Sequence, residues 1–156
     1  MNNLDDLYRE IILDHYRSPR NRGELPVPPA LRVEGVNPLC GDELVLYLDL
    51  RDGVLADIKI TGHGCSISQA SSSLMSAAVK GQTLAKVREA IETFKGLMSV
   101  HASALEHRDA PIEVDLKRLG ELAALQGVVK FPVRIKCATL AWNTLAQGLD
   151  EAAATA

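Results

Sequence analysis

The segment LVLYLDLRDGVLADIKIT, residues 44–61, decides the fold of this chain. Leucine recurs at every second position over Leu44–Leu50, and isoleucine does so at Ile58 and Ile60. This alternation is typical of strands with one buried face, and the Asp-Gly pair between the two runs is a strong hairpin signal. The segment therefore predicts an antiparallel hairpin. A short strand over residues 31–36 in front of it completes a predicted sheet of three strands.

Helical patterns flank the hairpin on both sides. The second predicted helix opens on Ser66 and Gln69, which resemble a capping box, and is followed by Gly81. Strands that precede helices in this way indicate an α+β fold, with helices packed on one face of a small antiparallel sheet. We expect one domain over residues 1–149 and a disordered tail over 150–156. Apolar spacing predicts helices over residues 4–16, 66–80, 83–98 and 137–148, with a weaker pattern over 116–125.

The composition excludes several classes of protein. Of the 156 residues, 47% are hydrophobic and 24% are charged, and the net charge of −3 offers no basic surface for nucleic acid. No apolar run approaches the ~18 residues that a membrane span needs, and the acidic N-terminus is not a signal peptide. Three cysteines cannot all pair in disulfides, so we expect reduced thiols in a cytoplasmic protein.

A thiol and a carboxylate lie two residues apart in the stretch NPLCGDE, residues 37–43, directly before the hairpin. In an extended segment the side chains of Cys40 and Asp42 point to the same side, so both can reach one common atom. Gly41 between them keeps that approach open and permits a bend in the backbone. The pair alone is weak evidence for a site, and its meaning depends on the other two cysteines.

All three cysteines lie at junctions between predicted elements. Cys40 precedes the first hairpin strand, and Cys65 and Cys137 stand at the starts of helices. Helix N-termini favour thiolates over thiols, and Arg134 and Lys136 add positive charge beside the last cysteine. Three thiolates and one carboxylate are enough ligands for a tetrahedral zinc ion. The alternative is that each cysteine is a small buried hydrophobic residue.

Other metal and redox sites have less support. The sequence contains no CxxC pair, which leaves a thioredoxin-like motif and a zinc ribbon without support. His63 competes for a ligand position, although a histidine between glycines is more often a solvated loop residue. We expect His15 to pack or to form a hydrogen bond at the end of the first helix, and His101 and His107 to lie on the surface.

Five motifs resemble those of the IscU/NifU-like iron–sulfur cluster assembly proteins. The similarity covers nearly the whole chain, over residues 4–149, and it implies the α+β fold of that family and a role in iron–sulfur cluster biogenesis. The motifs are Cys40-Gly41-Asp42, Gly64–Ser68, Ala70–Ser73, Arg134–Leu140 and the N-terminal His15–Gly23.

Two features favour the SufU branch of this family over the scaffold branch. Lys136 stands where scaffold proteins of the IscU type carry a histidine. In addition, 71 residues lie between Cys65 and Cys137, which leaves room over residues 99–125 for the extra segment of SufU-like proteins. The resemblance thus implies a zinc-dependent sulfurtransferase rather than a scaffold.

The resemblance also implies ligands and partners. Zinc would be held by Cys40, Asp42, Cys65 and Cys137, and a PLP-dependent cysteine desulfurase of the SufS type would hand its persulfide sulfur to Cys40. Downstream iron–sulfur assembly proteins would then receive the sulfur. Our hypothesis for Arg134 is that it stabilises the released thiolate or the Asp42 carboxylate.

Two alternatives to this function remain open. The first is a scaffold that assembles a [2Fe–2S] cluster on the same four residues, because thiolates are also the ligands of iron–sulfur clusters. The second is a binding module whose zinc only holds the fold. Structural zinc sites more often use four cysteine or histidine ligands, whereas the ligand set here includes a carboxylate.

Overall fold

Three antiparallel strands form the sheet that the hairpin pattern predicts. Asp52 and Gly53 connect the second strand to the third with φ angles of 51° and 74°. Positive φ at both residues is what a tight two-residue hairpin turn requires. The strands are β1 (Leu31–Asn37), β2 (Asp42–Arg51) and β3 (Val54–His63), in the spatial order β1-β2-β3.

A computed structural model describes residues 3–38, 41–107, 122, 124–125 and 132–155, with side chains described at 7–38, 41–98, 122, 124–125 and 134–153. Within these ranges the helices are α1 (Asn3–Arg17), α2 (Ser66–Val79), α3 (Leu84–His107) and α4 (Pro132–Thr155). None of them, as far as they are described, is long and apolar enough to span a membrane. The weak helical pattern over 116–125 falls outside the described residues, apart from buried Leu122, Ala124 and Leu125.

The predicted ends of the last helix were wrong. We expected Cys137 to open this helix and Gly148 to end it, with a disordered tail over residues 150–156. Instead, α4 extends over Pro132–Thr155, so most of that tail is helical. Proline suits the first helical position, because the N–H group that it lacks would have no partner there.

Glycine within α4 serves close packing and does not end the helix. A Cβ atom at Gly148 would lie 2.8 Å from side-chain carbons of both Leu48 and Val33, which are buried residues of the sheet. Glycine therefore lets α4 approach the sheet directly. Beyond it, Asp150 forms an ion pair of 2.8 Å with Arg88 of α3, which holds the last turns of the helix against its neighbour.

The core lies between the sheet and the helices. Helix α3 continues to His107, beyond its predicted end at Met98, and its Phe94 ring stacks on Trp142 of α4 with centroids 4.4 Å apart. The predicted α+β fold, with helices on an antiparallel sheet, is confirmed. The inward residues of the hairpin, each at most 4% exposed, are Leu44, Leu46, Leu48, Ile58 and Ile60.

Helix α2 is mostly buried although it is rich in serine, because four of its buried hydroxyl groups have hydrogen-bond partners. The Ser73 hydroxyl lies 2.7 Å from Nδ1 of His15 and accepts a hydrogen bond of 2.8 Å from the backbone N–H of Arg20. These contacts attach α1 and the segment after it to α2. They confirm that His15 forms a buried hydrogen bond near the end of the first helix.

Candidate metal centre

Asp42 is a fully buried carboxylate at the start of β2, where it pairs with Asn37 of β1. Its Oδ1 atom accepts a hydrogen bond of 2.8 Å from the backbone N–H of Cys65, and its Oδ2 atom lies 4.0 Å from the Cys65 sulfur. One oxygen is thus held by the backbone while the other faces a thiol. A buried carboxylate needs such partners, because burial of an isolated charge is costly.

Cys65 is the N-cap of α2. Its backbone is extended, with φ −69° and ψ 168°, and its sulfur accepts a hydrogen bond of 3.4 Å from the backbone N–H of Ser68. We expected the helix to be capped at Ser66, so the cap is one residue earlier and is a cysteine. The unpaired N–H groups of a helix start carry partial positive charge, which stabilises an anionic sulfur.

Cys137 is buried, with 1% of its surface exposed, and lies in the second turn of α4. Our prediction that Cys137 stands at a helix N-terminus was therefore wrong. The positive charge near its sulfur comes from a side chain instead. Arg134 precedes it by three residues and is itself exposed. The pKa of the Arg134 guanidinium is raised, first by its hydrogen bond with the Cys137 side chain and then by the charge of Cys65.

The structure brings the predicted ligands Asp42, Cys65 and Cys137 together. One ligand atom from each lies within 4.8 Å of the other two, and the two cysteines form no disulfide. Two sulfur ligands of one zinc ion, each bound at about 2.3 Å, lie at most about 4.6 Å apart. The three donors therefore have the spacing and the chemistry that a single zinc ion requires, with small adjustments of the side chains.

The remaining residues that the sequence singled out are not among the clustered ligands or lie outside the described residues. His63 is 73% exposed, and its Nε2 atom pairs at 3.3 Å with Glu43 on the neighbouring strand, so it is not among the clustered ligand atoms. Lys136 is also exposed. Cys40 and the side chains of His101 and His107 lie outside the described residues.

The glycines around the site have two separate roles. Gly41 has a φ of 69°, which confirms the expected backbone bend, but a Cβ atom there would meet nothing described within 4 Å. Gly64 lies in the motif Gly64–Ser68, but the sequence did not indicate its role. A Cβ atom at Gly64 would lie 2.5 Å from Oδ1 of Asp42, so only glycine leaves room for the carboxylate.

Replacement of Gly64 by alanine should disturb the centre directly. Because the new methyl group must displace either the Asp42 carboxylate or the backbone, we expect zinc affinity to fall by about 10-fold or more. We also expect a loss of about 1–3 kcal/mol in the free energy of unfolding, as for other overpacked sites. Chelator competition and urea denaturation would measure the two effects.

Gly96→Ala is the matched control, because a Cβ atom there would have no neighbour within 4 Å among the described residues. Alanine in a helix interior is about 1 kcal/mol more favourable than glycine, so this variant should be as stable as the wild type or more so. Zinc affinity equal in the Gly64→Ala and Gly96→Ala proteins would contradict the role assigned to Gly64.

A family model of the NifU-like N-terminal domain matches residues 7–138. The chain belongs to this family. The match includes the three clustered ligands and the glycine that makes room for Asp42. The family predicted from the sequence motifs of the NifU-like proteins is therefore confirmed.

Relatives within the NifU-like family carry two kinds of name. The zinc-dependent sulfurtransferase SufU of Bacillus subtilis strain 168 is 42% identical over 147 residues, which span 94% of this chain and 92% of that protein. The iron–sulfur cluster assembly scaffold protein IscU of Streptococcus pyogenes serotype M1 is 36% identical, over 98% of this chain and 89% of its own.

A solved structure agrees in fold. FiSufU from Fervidobacterium islandicum AW-1, whose description names a scaffold of iron–sulfur cluster assembly for the SUF system, superposes with a TM-score of 0.77. It is 31% identical, and the match covers 90% of this chain and 94% of that one. Because the names of relatives divide between sulfurtransferase and scaffold, the choice between these functions must rest on the site.

Proposed function

We propose that this protein is a zinc-dependent sulfurtransferase of iron–sulfur cluster biogenesis, which accepts persulfide sulfur at Cys40 from a cysteine desulfurase. The observation that carries the proposal is the cluster formed by Asp42, Cys65 and Cys137, whose ligand atoms lie within 4.8 Å of one another. The name of the SufU relative from Bacillus subtilis supports the same function.

Covalent geometry brings Cys40 within reach of the cluster. It lies two residues before Asp42, so their Cα atoms are at most about 7 Å apart. Asn37 and Asp42 are paired across the β1–β2 connection, which therefore contains only four residues. Cys40 can thus serve as the fourth ligand beside Asp42, Cys65 and Cys137, which would complete a tetrahedral set.

Zinc would keep the thiols deprotonated without redox chemistry of its own, so that a nucleophile is held ready and protected from oxidation. In the transfer itself, the Cys40 thiolate attacks the terminal sulfur of the persulfide on the desulfurase. A new S–S bond forms at Cys40, the S–S bond of the partner breaks, and the partner cysteine leaves as a thiolate. Because one S–S bond replaces another, the transfer needs no oxidant or reductant.

Arg134 is the residue that we assign to charge stabilisation in this transfer. Its guanidinium forms a hydrogen bond with the Cys137 side chain and interacts with the charge of Cys65, so it lies beside the centre. A centre with three thiolates, one carboxylate and Zn²⁺ carries two net negative charges, which a neighbouring cation offsets. Because Arg134 is exposed, solvent weakens its effect, and the contribution is expected to be modest.

Arg134→Ala should therefore slow sulfur acceptance by about fivefold, the upper range for an exposed charge pair. Lys136→Ala is the matched control, because it removes an exposed cation two residues away on the same helix. The rate of persulfide formation would be measured in both variants at equal zinc content. An Arg134→Ala protein that folds and accepts sulfur at the full rate would remove this assignment.

The second candidate is a scaffold that assembles a [2Fe–2S] cluster on the same residues. It is favoured by the scaffold names of the relatives from Streptococcus pyogenes and Fervidobacterium islandicum. Against it, Lys136 replaces the histidine that precedes the third cysteine in scaffold proteins. Of the four histidines, His63 is the one nearest in sequence to a ligand, and it pairs with Glu43 instead.

We place the protein in the cytoplasm, because a thiol nucleophile must remain reduced. Its partners would be a PLP-dependent cysteine desulfurase of the SufS type and the assembly proteins that receive the sulfur.

We further propose that residues 1–149 form a single domain, since the sheet and the described helices share one core.

Metal content and desulfurase stimulation, measured on the same purified protein, test the proposal. We expect one tightly bound zinc ion per chain and faster release of alanine from cysteine by the desulfurase when the protein is added. A stable iron–sulfur chromophore after anaerobic reconstitution, without any stimulation, would contradict the proposal and favour the scaffold.

A further inference from the structure

A buried hydroxyl group links the two helices that carry the cysteine ligands of the cluster. Ser71 lies on α2 and is fully buried. Its hydroxyl donates a hydrogen bond of 2.5 Å to the backbone carbonyl of Ala138 on α4. The same oxygen accepts a hydrogen bond of 3.1 Å from Nε1 of Trp142, also on α4.

The location of this link relates it to the metal centre. Ala138 directly follows Cys137, and Ser71 lies six residues after Cys65 on the same helix. Apolar contacts between two helices resist separation but are not directional, whereas hydrogen bonds fix distance and orientation. The Ser71 hydroxyl therefore restrains how far α2 and α4 slide or rotate past each other, and with them the two sulfur atoms.

The other buried serines of α2 do not share this arrangement. The Ser72 hydroxyl donates to the carbonyl of Gln69 in its own helix, at 2.9 Å. Ser76 donates to the carbonyl of Ser73, also within α2. The Ser73 hydroxyl contacts His15 of α1. Among the hydrogen bonds described for these serines, the bonds of Ser71 are those that reach α4.

We propose that Ser71 is a positioning residue, which sets the separation of the Cys65 and Cys137 sulfur atoms through its bond to the Ala138 carbonyl. The inference rests on the metal centre of the proposed function. Residues that orient the ligands of a metal without touching it typically change metal affinity by about 10–100-fold when they are removed. We expect Ser71→Ala to lie at the lower end, about 10-fold, because the apolar contacts between the helices remain.

The test must separate positioning from stability, since Ser71→Ala leaves the buried Nε1–H group of Trp142 without its acceptor. The double variant Ser71→Ala/Trp142→Phe removes that donor as well, and keeps an aromatic ring against Phe94. We expect Ser71→Ala to cost less thermal stability in the Trp142→Phe background than in the wild type, where it leaves a donor unpaired. The zinc affinity of the double variant should be lower than that of Trp142→Phe alone, because the link to Ala138 is missing.

Zinc affinity would be measured by chelator competition, and ligand geometry by the absorption spectrum of the Co²⁺-substituted protein. Ser72→Ala is the matched control, because it deletes a buried hydroxyl whose bond stays within α2. We expect an altered Co²⁺ spectrum and about 10-fold weaker zinc binding in both variants that lack Ser71, and a spectrum like that of the wild type in Ser72→Ala.

Two results would overturn the role of Ser71 but leave the metal centre intact. One is wild-type zinc affinity and Co²⁺ spectrum in Ser71→Ala. The other is a double variant that binds zinc as tightly as Trp142→Phe alone, since that would mean that Ser71 acts only on the fold. A wild-type protein that bound neither metal would instead overturn the metal centre itself, and the role of Ser71 with it.

Discussion

Replacement of Cys40 by serine is expected to abolish sulfur acceptance while the protein stays folded. A serine hydroxyl is almost entirely protonated at neutral pH, and so it cannot attack a persulfide as a thiolate does. The residue belongs to the four-residue connection between the paired Asn37 and Asp42. Release of alanine by the desulfurase should then be the same with and without the variant.

The zinc content of Cys40→Ser separates a chemical defect from a structural one. Asp42, Cys65 and Cys137 remain in this variant, so we expect it to bind zinc, with lower affinity than the wild type. Circular dichroism and thermal unfolding would show whether the fold is kept. Full stimulation of the desulfurase by Cys40→Ser would contradict the assignment of Cys40 as the sulfur acceptor.

Removal of Cys137 is expected to have the largest effect on metal binding. Loss of a direct ligand should cost more than the roughly 10–100-fold that loss of an orienting partner costs, so we expect zinc affinity to fall by more than about 100-fold. Cys137→Ala suits this test better than a serine, because the site is buried and alanine leaves no unpaired hydroxyl there. Affinity would again be measured by chelator competition.

Stability provides an internal control for the same variant. Zinc present at about a thousandfold excess over its Kd stabilises a folded protein by about 4 kcal/mol. A chelator should therefore lower the melting temperature of the wild type but leave that of Cys137→Ala nearly unchanged. Equal responses of the two proteins to the chelator would mean that Cys137 is not a ligand and is only a small buried residue.

The fold was predictable where local sequence decides the structure. The alternating residues on either side of Asp52-Gly53 define both strands of the hairpin, because a slip of one residue would turn the leucines to the solvent. The end of α4 was not predictable in the same way. Gly148 is a common stop signal for a helix, and only the proximity of Leu48 and Val33 explains why it lies in the interior.

In the site, too, some features follow from the local sequence and others depend on contacts made in the folded protein. The clustering of Asp42, Cys65 and Cys137 was predictable, because cysteine is rare in this chain and Asp42 lies two residues after Cys40. Gly64 and Ser71 were not, because their roles depend on which backbone lies next to them after folding. Nothing in the local sequence indicates that Gly64 faces the Asp42 carboxylate or that the Ser71 hydroxyl reaches α4.

Mass spectrometry of the protein after turnover of the desulfurase with cysteine, with thiols alkylated before digestion, tests sulfur acceptance most directly. We expect one additional sulfur atom on the peptide that contains Cys40, and none on the peptides that contain Cys65 or Cys137. An unmodified Cys40 in a zinc-loaded protein, or a persulfide only on another cysteine, would contradict the proposal that Cys40 accepts the sulfur.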